Sequence, residues 1–199
     1  MIQKTFLQIL ALLCICTNAF AATDNSAVIK QIEHYLNTLT NVSAQFIQHN
    51  HNEAQSSGSF ILSDTENVRW EYKKPRNIVI TFCNKQISYH DKDLNNKEIY
   101  SATNPFIDFI ATRPIQLEAH KHFFIKEIKE KNDLLELLIS NTNKSIGHFI
   151  LVFKKEPIAL NKLVLFDDFG MPIEISFYNL INYTATTGGP LFYCETKNE

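Results

Sequence analysis

Glycine is scarce in this chain, and the five present (Gly58, Gly147, Gly170, Gly188 and Gly189) form neither a phosphate-binding loop nor a dinucleotide fingerprint. No Gly-x-Ser-x-Gly nucleophile elbow occurs, so the sequence announces neither nucleotide binding nor serine hydrolysis. Basic clusters are missing as well. The apolar run at residues 5–16 is too short to span a bilayer. It follows Lys4 and precedes Ala19-Phe20-Ala21, the arrangement of a cleavable secretory signal over residues 1–21. Neither Cys14 nor Cys16 directly follows a small residue, as lipoprotein processing would require, so no lipid anchor is expected. With Lys4 removed, 18 basic residues face 21 acidic ones, a net charge of −3. Nucleic acid and polybasic membrane attachment are disfavoured on that balance. Residues 22–199 are expected to form one domain, long enough for a real core.

Cysteine is nearly absent from the expected mature chain, where only Cys83 and Cys194 remain. In an export compartment they could be bridged, or they could be two buried thiols, and both readings stay open. A bridge closing so long a loop would stabilise by about 4 to 5 kcal/mol and would be a staple, not a catalytic device.

What is present is periodicity. Val28, Ile29, Ile32, Tyr35, Leu36 and Leu39 recur at helical spacing behind Asp24-Asn25-Ser26, which predicts an amphipathic helix over 26–40. The period then changes from 3.6 to 2. Alternation predicts strands at 42–49, 58–63, 68–73, 78–83, 86–90 and 97–101, and further strands at 122–128, 134–140, 148–154, 161–167 and 172–180. The short polar links between them force antiparallel neighbours. One segment departs from this meander: Asn104-Pro105 reads as a cap and first helical position, with Phe106, Phe109 and Ile110 following at helical spacing. A flexible turn is expected at Gly188-Gly189-Pro190, before a final strand. The fold class is therefore mainly β (α+β), a large twisted antiparallel sheet whose apolar face is covered by two or three short helices. Such a curved sheet leaves room for a cavity.

Polar constellations are few. His49/His51 and His120/His122 place imidazoles on alternate strand positions, as a zinc site would want, but no third ligand is indicated and the surroundings are polar. Asp91/Asp93 and Asp167/Asp168 fall in turns, where aspartate is favoured because it hydrogen-bonds the backbone. No catalytic residue, metal site or cofactor is assigned. The apolar set is richer: Phe46, Phe60, Leu62, Val68, Trp70, Tyr72, Ile80, Phe82, Ile87 and Tyr89 lie on alternating positions and serve either as core or as the wall of a lipid pocket. Composition does not separate those two readings.

An ordered series of motifs resembles the LolA family of periplasmic lipoprotein carriers. It comprises the first helix leading into Leu39-Thr40-Asn41-Val42-Ser43-Ala44-Gln45-Phe46-Ile47-Gln48, then Gly58-Ser59-Phe60, Arg69-Trp70-Glu71-Tyr72 with Pro75, Tyr89-His90-Asp91, and Asn104-Pro105-Phe106. The resemblance implies an incomplete, strongly curved β-barrel lidded by helices around a hydrophobic cavity for acyl chains. Trp70, Tyr72 and Ile80 would line its sheet side, with the other alternating residues alongside, while Phe106, Phe109 and Ile110 would form the lid. It also implies a periplasmic, non-enzymatic monomer without cofactors. Its partners would be acylated lipoproteins, an inner-membrane ABC transporter that loads it and an outer-membrane acceptor. Two motifs depart from the family. Asp64-Thr65 stands where a lid-latching basic residue and proline are usual, and Cys83-Asn84-Lys85 replaces a glycine-containing hairpin turn while keeping an asparagine able to take positive φ. Alternative readings are a related half-barrel that senses or binds lipid, and a metal-dependent hydrolase using the His-x-His pairs.

Overall fold

The structure is a computed structural model, and it describes residues 25–51, 53–63, 67–83, 85–101, 109–110, 113–143 and 147–183. The expected signal over 1–21, Asp64-Thr65, Asn84, Asn104-Pro105-Phe106, Gly188-Gly189-Pro190 and Cys194 lie outside the described residues.

Helix α1 (Asn25–Thr38) buries Ile29, Ile32 and Leu36, with Leu39 buried just beyond its end. Its apolar stripe is the reason it folds against the sheet. Eleven strands follow: β1 (Val42–Asn50), β2 (Ser56–Ser63), β3 (Asn67–Tyr72), β4 (Ile78–Cys83), β5 (Gln86–Asp91), β6 (Asn96–Ser101), β7 (Phe123–Lys131), β8 (Leu134–Asn141), β9 (His148–Lys155), β10 (Ile158–Phe166) and β11 (Pro172–Asn182). They form one antiparallel sheet in the order β6-β5-β4-β3-β2-β1-β11-β10-β9-β8-β7. Every neighbouring pair except β1–β11 is a sequence-adjacent hairpin. The pairing of β1 with β11, Val42 opposite Asn182 through Asn50 opposite Ile173, joins the two meanders into a single curled sheet. This is the open half-barrel architecture that the resemblance implies.

Turn chemistry fixes the hairpins. Asp91 accepts hydrogen bonds from the backbone N–H groups of Asp93 and Leu94, both at 3.0 Å, and Asp167 accepts from those of Phe169 (2.9 Å) and Met171 (2.8 Å). Both aspartates are thus turn residues. In the β4–β5 link Lys85 takes a positive φ of 60°. Strand β10 begins three residues earlier than the alternation predicts. Ile158, Ala159 and Leu160 are apolar without alternation, yet they pair with Lys155, Lys154 and Phe153 before an irregularity between Leu160 and Lys162 resets the register. The sheet edges β6 and β7 expose Lys97, Glu98, Lys126, Glu127, Lys129 and Glu130, charges that oppose edge-to-edge pairing.

One face of β1–β5 carries two cross-strand rows. Phe60 pairs with Trp70, Trp70 with Ile80 and Ile80 with Tyr89; in parallel, Leu62 pairs with Val68, Val68 with Phe82 and Phe82 with Ile87. Gly58 lies opposite both Phe46 and Tyr72. A Cβ there would sit 2.0 Å from the Glu71 carbonyl oxygen and 2.7 Å from the Phe46 ring, so the close approach of that ring requires glycine.

Candidate functional site

Two apolar cavities lie between the curled sheet, α1 and the segment around residues 109–117. The first, of about 80 Å³, is bounded by Leu36 of the helix and Leu39 just beyond it, by Phe60, Leu62 and Trp70 of the first meander, and by Leu151, Leu163 and Phe177 of the second. Ile110, Arg113 and Ile115 close it on the remaining side. The second, of about 210 Å³, lies between Val68, Trp70, Tyr72, Ile80, Phe82 and Ile87 and, across from them, Leu163, Leu165 and Ile175. Trp70, Ile110 and Leu163 border both spaces and therefore mark their junction.

Eight of the ten alternating residues face one or both cavities: Phe60, Leu62, Val68, Trp70, Tyr72, Ile80, Phe82 and Ile87. Phe46 does not. It is 1% exposed and fills the wall behind the cavity, its ring centroid 5.1 Å from those of both Trp70 and Tyr72. Tyr89 shares the face of Ile80 but borders neither space. Of the expected cover, Ile110 borders both cavities and Phe109 the first; Phe109, 2% exposed, is also lodged among Phe123, Phe149 and His120 with centroids 5.2 to 5.6 Å away. Phe106 lies outside the described residues.

The wall contributed by β9–β11 was not assigned from the sequence. Leu151, Leu163, Leu165, Ile175 and Phe177 alternate as clearly as the first meander does, but only the β1–β11 pairing turns them toward Trp70. Phe177 completes an aromatic cluster, with centroids 5.8 Å from Phe60 and 6.0 Å from Trp70, while Phe60 and Trp70 are 4.9 Å apart. Edge-to-face packing of this kind holds the rings in fixed relative orientation.

Arg113 also escaped the sequence reading. Its guanidinium is drawn down to about 10 by burial, yet stays charged at neutral pH. It donates from Nη1 to the Ile110 carbonyl (2.9 Å) and from Nη2 to that of Leu39 (3.5 Å). Helix α1 holds the following segment by its polar side chains. Asn37 donates to the Ile115 carbonyl (2.9 Å) and accepts from the Ile115 N–H (2.7 Å), and Glu33 Oε1 accepts from the Leu117 N–H (2.5 Å). The cover is thus tied to the helix by side-chain hydrogen bonds to backbone groups that a strand would otherwise pair.

Two tyrosines at or near the cavity hydrogen-bond through their hydroxyls. Tyr72 donates through its hydroxyl to Gln48 Oε1 (2.7 Å), and burial raises its pKa. Tyr35, raised by burial too, accepts from the Leu160 N–H (3.0 Å). Trp70, by contrast, has a buried Nε1 with no hydrogen-bond partner among the described residues. An unmade hydrogen bond of this kind costs about 1 to 3 kcal/mol.

The histidine pairs do not converge on a metal geometry. His49 and His51 are exposed, and His120 packs its ring on Phe109 and Phe123 while its Nδ1 accepts from the His122 N–H (3.2 Å). Among the described residues no group of three or more His, Cys, Asp or Glu comes together. Cys83 is disulfide-bonded. Among the described residues no helix is long and apolar enough to cross a membrane.

Against known proteins, residues 37–188 match the family described as outer membrane lipoprotein carrier protein LolA. No curated protein matches the chain. Among solved structures, similarity extends to a conserved protein from Thermus thermophilus, with a TM-score of 0.48, 11% identity, and coverage of 80% of this chain and 87% of that one. A LolA superfamily protein from Nitrosomonas europaea is similar with a TM-score of 0.44 and 9% identity, over 80% of this chain and 93% of that one. A structure of the CwlD amidase from Clostridioides difficile in complex with the GerS lipoprotein is similar with a TM-score of 0.39 and 16% identity, over 80% and 93% of the respective chains. The members of the matched family are periplasmic binding and carrier proteins, not enzymes. With more than half of its length matched by that one family, the chain belongs to the LolA family of outer membrane lipoprotein carriers.

Proposed function

We propose that this protein is a periplasmic carrier that takes up the acyl chains of lipoproteins released from the inner membrane and delivers them to an outer-membrane acceptor. The observation that carries this reading is the pair of apolar cavities meeting at Trp70, Ile110 and Leu163, closed over by the segment that carries Ile110, Arg113 and Ile115. The eight residues facing these spaces bind the chains, Phe46 and Tyr89 support their wall, and Phe106, Phe109 and Ile110 belong to the lid. Cys194 is the proposed partner of Cys83, and a non-reducing peptide map lacking that linked pair would contradict the assignment. No cofactor or metal takes part, and the chain works as a monomer.

Volume and energy together set the mechanism. A cavity of roughly 150 Å³ accommodates benzene, so spaces of about 80 and 210 Å³ do not hold several long acyl chains as they stand. Loading therefore requires the segment carrying Ile110, Arg113 and Ile115 to move away from the sheet. Each methylene transferred to water costs about 0.8 kcal/mol, so exposing three long chains would cost on the order of 30 kcal/mol. Unaided diffusion does not extract such a cargo. An energy-using inner-membrane transporter must load the carrier, and the acceptor must offer the chains a better environment than the cavity does.

Purification from cells containing the transporter, followed by mass spectrometry of bound material, tests the reading. Triacylated lipoprotein is the expected finding, and depletion of the protein should leave lipoproteins at the inner membrane. A preparation free of acylated material, together with normal lipoprotein localisation on depletion, would overturn it. A lipid-sensing role predicts bound lipid with normal localisation.

A further inference from the structure

We propose that Trp70 does more than line the cavity: its indole N–H donates a hydrogen bond to the ester or amide carbonyl that joins an acyl chain to its carrier molecule. This inference rests on the acyl-carrier reading and refines it by naming the polar atom of the ligand that the site recognises.

Three observations converge. Trp70 stands at the junction of the two cavities, so once loading has moved the cover away from the sheet, a group beside its ring can send hydrocarbon into either space. Its Nε1 is buried without a hydrogen-bond partner among the described residues, although buried indole N–H groups ordinarily find one. Its neighbours Phe46, Phe60 and Phe177 present aromatic rings and no acceptor.

The chemistry of the donor selects the ligand atom. An indole nitrogen donates and does not accept, and it is uncharged, so its complement is a neutral acceptor. An acyl carbonyl meets that requirement and is attached to the hydrocarbon the rest of the wall accommodates. Buried without a partner, such a carbonyl would lose its hydration uncompensated; bonded to Trp70, both groups are satisfied. The cation on this wall, Arg113, already directs Nη1 and Nη2 to the Ile110 and Leu39 carbonyls. A buried donor that discriminates by hydrogen bonding rejects an analogue lacking the acceptor more strongly than an apolar wall rejects a change of one methylene.

The chain has a single tryptophan, so its indole N–H gives one isolated proton resonance in the intact protein. Titration with a medium-chain fatty acid methyl ester should move that resonance downfield, whereas an alkane of equal length should bind without doing so. In parallel, Trp70→Phe, which keeps an aromatic ring and removes the donor, should weaken ester binding roughly tenfold and leave alkane binding nearly unchanged, as read by displacement of a fluorescent acyl probe. A synthetic triacyl lipopeptide and a phospholipid of matched chains then distinguish the two sources of such carbonyls; a downfield shift with either supports the inference and identifies the source. Binding of ester and alkane without a downfield indole shift, or equal losses for both ligands in the variant, would overturn the hydrogen bond and leave the carrier reading intact. Failure of the native protein to bind either ligand would overturn both. The resonance test needs no variant, so it decides the matter even if Trp70→Phe does not fold.

Discussion

Glu71 shows how much a single outward-facing residue of this sheet carries. Its Oε2 accepts from Arg69 Nε (3.2 Å) and Nη2 (3.0 Å), and its Oε1 from Lys92 Nζ (2.5 Å). The hydrogen bond from Lys92, reinforced by Arg69, holds the carboxyl below its ordinary value of 4.5. Because the folded pKa is depressed, the stabilisation is present above about pH 4.5 and is lost as pH falls through the folded value. The group is substantially solvated, so the contribution is under about 1 kcal/mol. Melting temperatures of the native protein and Glu71→Gln should differ slightly at neutral pH and converge as pH falls through the folded value; a difference that persists undiminished in acid would refute the assignment. On the inner face, alternation was enough to place Phe60, Leu62, Val68, Trp70, Tyr72, Ile80, Phe82 and Ile87 together, since strand geometry leaves them no other side. It was not enough for Phe46, whose burial depends on a missing side chain across the strand pair at Gly58. Nor did it show that Tyr89, on the same strand as Ile87, falls beyond the cavity.

At the scale of elements, α1 has two functions that its sequence expresses on different faces. Its apolar stripe was legible from spacing, because a helix in contact with a sheet must bury one side. Its polar grip on residues 115–117 was not, because Asn37 and Glu33 read as ordinary solvated helix residues until the chain returns beside them. Asn37→Ala removes both hydrogen bonds to Ile115 and should reduce local stability by about 1 to 3 kcal/mol. Hydrogen exchange should show lost protection at the Ile115 and Leu117 amides while the central amides of β1 and β11 keep theirs. Unchanged protection at Ile115 would mean that Asn37 does not hold the cover. The strands themselves were readable nearly to the residue wherever aspartate or asparagine turns punctuated the alternation. The start of β10 was missed because Ile158-Ala159-Leu160 has no polar partner face to show the period.

The whole molecule depends on one long-range pairing, β1 with β11, which hairpin rules do not supply. From sequence, two runs of strands were visible but not the seam that curls them into one wall, so the cavity lining contributed by β9–β11 went unassigned. That seam makes a hydrophobic enclosure whose present volume is too small for the proposed cargo, and the account therefore requires an opening motion coupled to ligand entry. Its central claim is that acyl chains enter the space beside Trp70. The most direct measurement is quenching of the lone tryptophan's fluorescence by an acyl ester brominated along its chain, with the unbrominated ester as control. The account predicts saturable quenching by the brominated ligand and a saturable shift to shorter wavelength with the control. Fluorescence that ignores both ligands at concentrations where they are in solution would contradict it.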